Sequence, residues 1–160
     1  MILRLAPLLL LAGCGLQPLY SGGSTGTVAQ ALAGVEVPPI RGRNGWLVQN
    51  ALKDRVAAVR EGAPLYRLVV ELDDKIEGFG VRRDDAITRE RRTLRARYRL
   101  TESGSGAVLL DATAGSDVGI DVVRSEYATI AAENSALERL AQEVADQIVA
   151  RIALYAKRAQ

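Results

Sequence analysis

The sequence predicts an α+β fold: a four-stranded, mostly antiparallel sheet with two helices packed on one face as a two-layer sandwich. Three observations predict it. Residues 65–76, 86–101 and 107–122 alternate apolar and polar side chains with a period of two. Residues 137–152 carry an apolar stripe at i, i+3, i+4 and i+7. The segment order is strand, helix, three strands and a long helix, and four one-faced strands need a cover.

The chain opens outside that fold. Met1–Arg4 carries one cation, Leu5–Leu11 is apolar but for Pro7, and Leu11-Ala12-Gly13 leads into Cys14. The apolar run is too short to cross a bilayer, which takes about 20 residues. A charged start, a short apolar stretch and small residues at the cut are the marks of an export signal. Cysteine at the cut resembles a lipobox. There the thiol takes a diacylglycerol, the signal is removed and the new amino terminus is acylated. Each buried methylene contributes about 0.8 kcal/mol, and stable anchoring needs more than one chain. The expected organisation is a signal peptide over residues 1–13, a lipidated flexible stalk over 14–34 and a single domain over 35–160. Gly, Ser, Thr and Gln dominate the stalk segment.

Val35-Glu36-Val37 alternates and stops at Pro38-Pro39, as a short edge strand does. Asn44 is placed to cap a helix over 45–60, with Leu47, Val48, Ala51, Leu52, Val56 and Val59 on one face and Gly62 and Pro64 beyond its end. The second strand turns Tyr66, Leu68, Val70, Leu72 and Ile76 inward. Gly78 and Gly80 suggest a loop over 77–85. The third strand, 86–101, turns Leu94, Ala96, Tyr98 and Leu100 inward. Glu102–Gly106 reads as a hairpin turn. The fourth strand then keeps Val108, Leu110, Ala112, Ala114, Val118, Ile120 and Val122 on one face. Centring the turn on Gly104 sets Leu100 opposite Val108, Tyr98 opposite Leu110 and Ala96 opposite Ala112. From Ser125 the chain is helical, with Leu137, Leu140, Ala141, Val144, Ala145, Ile148, Val149 and Ile152 on the stripe. Its polar side carries both charge signs, which suits packing on the sheet rather than on a membrane.

Composition excludes several chemistries. Of 160 residues, 147 remain once the first 13 are removed, enough for one domain with a core. Lys plus Arg is 21 and Asp plus Glu is 19, so nothing draws the whole chain to nucleic acid. Cys14 is the one cysteine, which leaves no disulfide and no thiolate metal site. No histidine is present, which removes Ser-His and Cys-His catalytic pairs and histidine zinc sites. The tempting carboxylate pairs are Asp73-Asp74 and Asp84-Asp85. Neighbours on a strand point to opposite faces, and the second pair falls in the expected loop. No catalytic residue, metal site or cofactor is expected beyond the covalent acyl chains on Cys14.

The outward parity of the third strand reads Arg89, Arg91, Thr93, Arg95, Arg97, Arg99. Five guanidiniums on alternate residues extend over about 34 Å. Arg82 and Arg83 precede them. A planar fork suits phosphate and carboxylate. The expected register also sets Arg97 opposite Asp111 and Arg91 opposite Asp117, so a ladder of exposed ion pairs accounts for the same pattern. Arg95 and Arg99, opposite Thr113 and Leu109, are the least neutralised. Both readings stay open here.

Cys14-Gly15-Leu16-Gln17-Pro18-Leu19-Tyr20, then Gly34-Val35-Glu36-Val37-Pro38-Pro39-Ile40, then Asn50-Ala51-Leu52 and a late helix opening Ser125-Glu126-Tyr127-Ala128 together resemble the LptE family of lipopolysaccharide-assembly lipoproteins. The resemblance implies two helices against a four-stranded sheet and a non-catalytic protein at the outer membrane of Gram-negative bacteria, on its periplasmic side. It implies an LptD-type β-barrel as partner, which such a protein plugs and helps assemble while lipopolysaccharide (LPS) reaches the outer leaflet. It also implies direct LPS binding through basic residues on the sheet side. Gly15 after Cys14 fits outer-membrane sorting, where Asp would favour the inner membrane. The rival expectation is an auxiliary lipoprotein of an ABC-type lipid transport system, which shares the anchor, the size and a mixed α/β domain. The partner separates the two.

Overall fold

The structure, a computed structural model, describes residues 26–56, 63–81 and 87–159. The expected signal peptide, Cys14, the expected stalk up to residue 25, the expected end of the first long helix and the expected loop with Arg82, Arg83 and Asp84-Asp85 lie outside those residues. The described elements are α1 (Thr27–Ala33), β1 (Val35–Glu36), α2 (Gly42–Val56), β2 (Tyr66–Val81), β3 (Ile87–Glu102), β4 (Val108–Asp121) and α3 (Glu126–Arg158). The sheet order is β1-β2-β3-β4. β1 runs parallel to β2, and the other two pairings are antiparallel. The expected α+β sheet with helices on one face is therefore the architecture observed.

The inward residues of β2 and β3 behave as their parity requires. Leu68, Leu94, Ala96, Tyr98 and Leu100 are buried against Val48, Leu52, Leu140, Val144, Ile148 and Ile152 of α2 and α3. Each fully buried aliphatic side chain contributes about 1.5–3 kcal/mol. Ser125 caps α3, its hydroxyl accepting the Ala128 N–H at 3.4 Å.

Four expectations are corrected. First, part of the stalk is helix: α1 buries Val28 and Leu32 in the core, an i, i+4 pair too short to stand out in a Gly/Ser-rich segment. Second, α2 begins at Gly42, so Asn44 lies inside it, accepting the Gly45 N–H at 2.9 Å rather than capping the helix from outside. Gly45 is needed there because a Cβ would sit 2.6 Å from the Ile40 carbonyl oxygen.

Third, residues 77–81 are strand rather than loop. β2 continues through both glycines to pair Gly78 with Glu90 and Val81 with Ile87. The two strands, of 16 residues each, make a hairpin about 50 Å long. Towards its far end Ile76 has the expected parity but is exposed.

Fourth, the β3–β4 register is shifted by two. The turn closes with the Glu102 N–H on the Ala107 carbonyl at 2.9 Å, which is one residue off the expected centre. An irregularity next to Leu100 and Thr101 adds a second residue. Leu100 therefore faces Leu110, Tyr98 faces Ala112 and Ala96 faces Ala114. Two single steps restore the parity from Leu110 onward, so that part of the inward set of β4 survives while every cross-strand partner changes. Val108, expected inward, lies before the second step, pairs with Thr101 and is 58% exposed.

Candidate functional site

α3 covers the even-numbered face of β3, which leaves the odd-numbered face to solvent. Arg89, Arg91, Arg95, Arg97 and Arg99 are all exposed on it. The structure thus brings the five predicted arginines together in one row, and it also supplies carboxylates for four of them. Arg89 meets Asp121 at 3.1 Å and Arg91 meets Asp117 at 3.6 Å. Arg97 meets Asp111 at 3.1 Å, and Arg99 meets Glu71 on the opposite strand at 3.6 Å. The expectation that Arg99 lacks an acidic neighbour is corrected. The shifted register places Arg99 opposite Asp111, and Asp111 gives its carboxylate to Arg97 one diagonal away.

Arg95 differs. Its partners across the ladders are Asp73 and Gly115. Asp73 pairs with Lys75 at 3.0 Å instead. Gly115 has no side chain, and a Cβ there would come within 3.2 Å of the Arg95 Cγ. The glycine therefore gives room to the arginine stem. Among the described residues Arg95 is in no ion pair.

The charges on this face hold one another. The hydrogen bond from Arg97 lowers the Asp111 carboxyl below its ordinary value, and the same bond raises Arg97. Exposed pairs of this kind add little stability. At the far end, the Phe79 ring lies 5.7 Å from the Arg89 guanidinium and 5.4 Å from that of Arg91. Phe79 falls in the loop that the flanking glycines suggest from sequence. Its odd parity, continuous with Asp73, Lys75 and Glu77, was the signal that places it on this face.

One charged cluster on the opposite face was missed. Arg92 and Asp74 pair at 2.9 and 2.6 Å, and Arg92 also donates to the Glu133 carbonyl at 2.9 Å. Asp73 and Asp74 point apart, as neighbours on a strand must, so they form no acid–base pair.

A family described as "LptE: Lipopolysaccharide-assembly" matches residues 32–152. Among solved structures, a lipoprotein of Caulobacter crescentus CB15 is similar at 26% identity and a TM-score of 0.70. That match covers 84% of this chain and 98% of the other. The minor lipoprotein of Acinetobacter baumannii is similar at 15% identity and a TM-score of 0.57, covering 75% and 88%. The rare lipoprotein B of Shewanella oneidensis is similar at 12% identity and a TM-score of 0.56, covering 78% and 96%. The last two likenesses speak to the fold. No curated protein sequence matches the chain. Among the described residues no helix is long and apolar enough to cross a membrane. With the family matched over most of its length and the expected sheet and helices in place, this chain belongs to the LptE family of lipopolysaccharide-assembly proteins.

Proposed function

We propose that this protein is the lipid-anchored plug and assembly factor of an outer-membrane LPS translocon. It is held on the periplasmic side by a diacylglycerol and an N-acyl chain on Cys14 and seated in an LptD-type β-barrel. The observation that carries this reading is the family match from the end of α1 through most of α3. The role needs no catalytic step and no cofactor beyond the covalent lipid, in keeping with a sequence that has no histidine.

The open face of the sheet is the surface we assign to LPS. Lipid A and the inner core present phosphates and carboxylates, and guanidinium forks bind both in pairs. Arg95 is the fork with no carboxylate to release, so it makes the first contact. Arg89, Arg91, Arg97 and Arg99 exchange a carboxylate for a ligand anion, which makes their contribution smaller.

Depletion in the producing bacterium tests the role. It lowers the amount of correctly assembled barrel and admits large hydrophobic antibiotics. An unchanged barrel level with an intact permeability barrier would instead favour the ABC-type lipid transport alternative.

A further inference from the structure

β4 forms one rim of the sheet. The bond from the Val122 N–H to the Thr88 carbonyl, 2.9 Å, sets the even-numbered residues of β4 in hydrogen-bonded pairs with β3. Antiparallel pairs alternate, so Asp111, Thr113 and Gly115 aim N–H and C=O away from β3. Gln147 of α3 meets Gly115 on that free edge. Its Oε1 accepts the Gly115 N–H at 3.1 Å and its Nε2 donates to the Gly115 carbonyl at 3.1 Å. A glutamine amide is a peptide group on a tether, so this contact reproduces for one residue what an added strand does for several. Thr113 and Asp111 offer the same groups, and among the described residues neither edge is closed in this way.

Beside them, between β4 and the last turns of α3, lies a groove of about 190 Å³. Leu110, Ala112, Leu154 and Tyr155 give it apolar walls, and Arg151 and Arg158 give it positive charge. Leu154 is 41% exposed. Burial pushes the Tyr98 phenol above its ordinary value and the charge of Arg151 works against that rise, and among the described residues neither Arg151 nor Arg158 is in an ion pair. An open strand edge beside an apolar strip and two cations fits an extended chain that alternates apolar side chains with carboxylates. A second copy fits less well, because edge-to-edge pairing about a two-fold axis brings each copy's Arg151 and Arg158 towards those of the other.

We propose that the Asp111–Thr113 edge of β4 and the adjoining groove form a strand-addition site for an extended, acidic segment of a partner polypeptide, with Gln147 marking the site's upper limit. Thr113 and Asp111 supply the main-chain bonds. One apolar side chain of the segment rests between Leu110 and Leu154, and a carboxylate meets Arg151 or Arg158. The site lies on the rim of the sheet and is independent of the LPS reading of the open face.

The test uses the full-length protein in detergent and two probes, acetyl-Thr-Val-Glu-Val-Glu-amide and its counterpart with lysine for both glutamates. The acidic peptide slows hydrogen exchange of the Asp111 and Thr113 amides about tenfold at saturation. The lysine peptide binds about tenfold more weakly. Arg151→Glu with Arg158→Glu reverses that preference. Gln147→Ala frees Gly115 and adds its amide to the protected set. Unchanged exchange at both amides under millimolar acidic peptide overturns the proposal, as does equal binding of the two peptides. Protection of the same amides by dimerisation without peptide assigns the edge to a second copy and also overturns it.

Discussion

Arg92 closes a bidentate pair on Asp74, at 2.9 and 2.6 Å, on the helix side of the sheet, where the two side chains keep 11% and 14% of their exposure. The remaining guanidinium nitrogen donates to the Glu133 carbonyl of α3. This cluster therefore ties the far half of the long hairpin to the first half of α3.

Removing one partner of a covered pair strands a charge. Arg92→Ala, or Asp74→Ala alone, is expected to lower stability by about 3–5 kcal/mol in chemical denaturation. Replacing both with leucine costs much less, because no charge is left behind. Equal losses for the single and double variants would show that the pair is not what holds this end.

Acid should weaken the domain in a specific way. The hydrogen bond from Arg55 lowers the Asp146 carboxyl below its ordinary 3.8, and that from Arg97 does the same for Asp111. A carboxylate with a depressed folded-state pKa stabilises above its unfolded pKa, and the contribution is lost as pH falls through the folded one. Stability is thus expected to be level above about pH 4.5 and to fall below about pH 4. Asp146→Asn flattens that acid limb in a series of melting curves, and an acid limb as steep as that of the wild type would remove the Arg55–Asp146 pair as its cause.

The arginine row allows a comparison within one face. Arg95→Asp is expected to weaken LPS binding by about tenfold at low salt, with the difference shrinking as salt rises. Arg97→Asp combined with Asp111→Arg preserves the ion pair and keeps most of the binding. Stability moves by within about 0.5 kcal/mol in each case. Equal LPS affinity for wild type and the Arg95 variant, with both folded by circular dichroism, would leave this face a structural ladder.

Cys14→Ser tests the anchor. The variant is expected to be exported yet to take up no labelled fatty acid and to keep its signal peptide uncut at the lipoprotein site. Normal labelling of the serine protein would remove the lipobox reading.

How much of this was legible depended on whether the deciding contact was local. Leu94, Ala96, Tyr98 and Leu100 declare their face by parity alone, and the α3 stripe from Leu137 to Ile152 does so by helical spacing. The arginine row was visible for the same reason. Its neutralisation was only partly visible, because the pairing of Arg99 with Glu71 depends on β2–β3 register and that of Arg97 with Asp111 is diagonal. The expected Arg97–Asp111 and Arg91–Asp117 pairs occur, though across a shifted register. Gly78 and Gly80 read as a break because glycine marks loops more often than strand interiors, and long-range pairing overrode that preference. α1 was hidden because Val28 and Leu32 become a face only when the rest of the core is there to receive them. The Gln147–Gly115 contact joins residues 32 apart and leaves no local trace.

The proposed role places this protein inside an outer-membrane LPS translocon. The most direct measurement is quantitative mass spectrometry of what co-purifies with the tagged, full-length protein from detergent-extracted membranes. An LptD-type β-barrel is expected at equal stoichiometry. Recovery of an inner-membrane ABC transport complex without the barrel would contradict it.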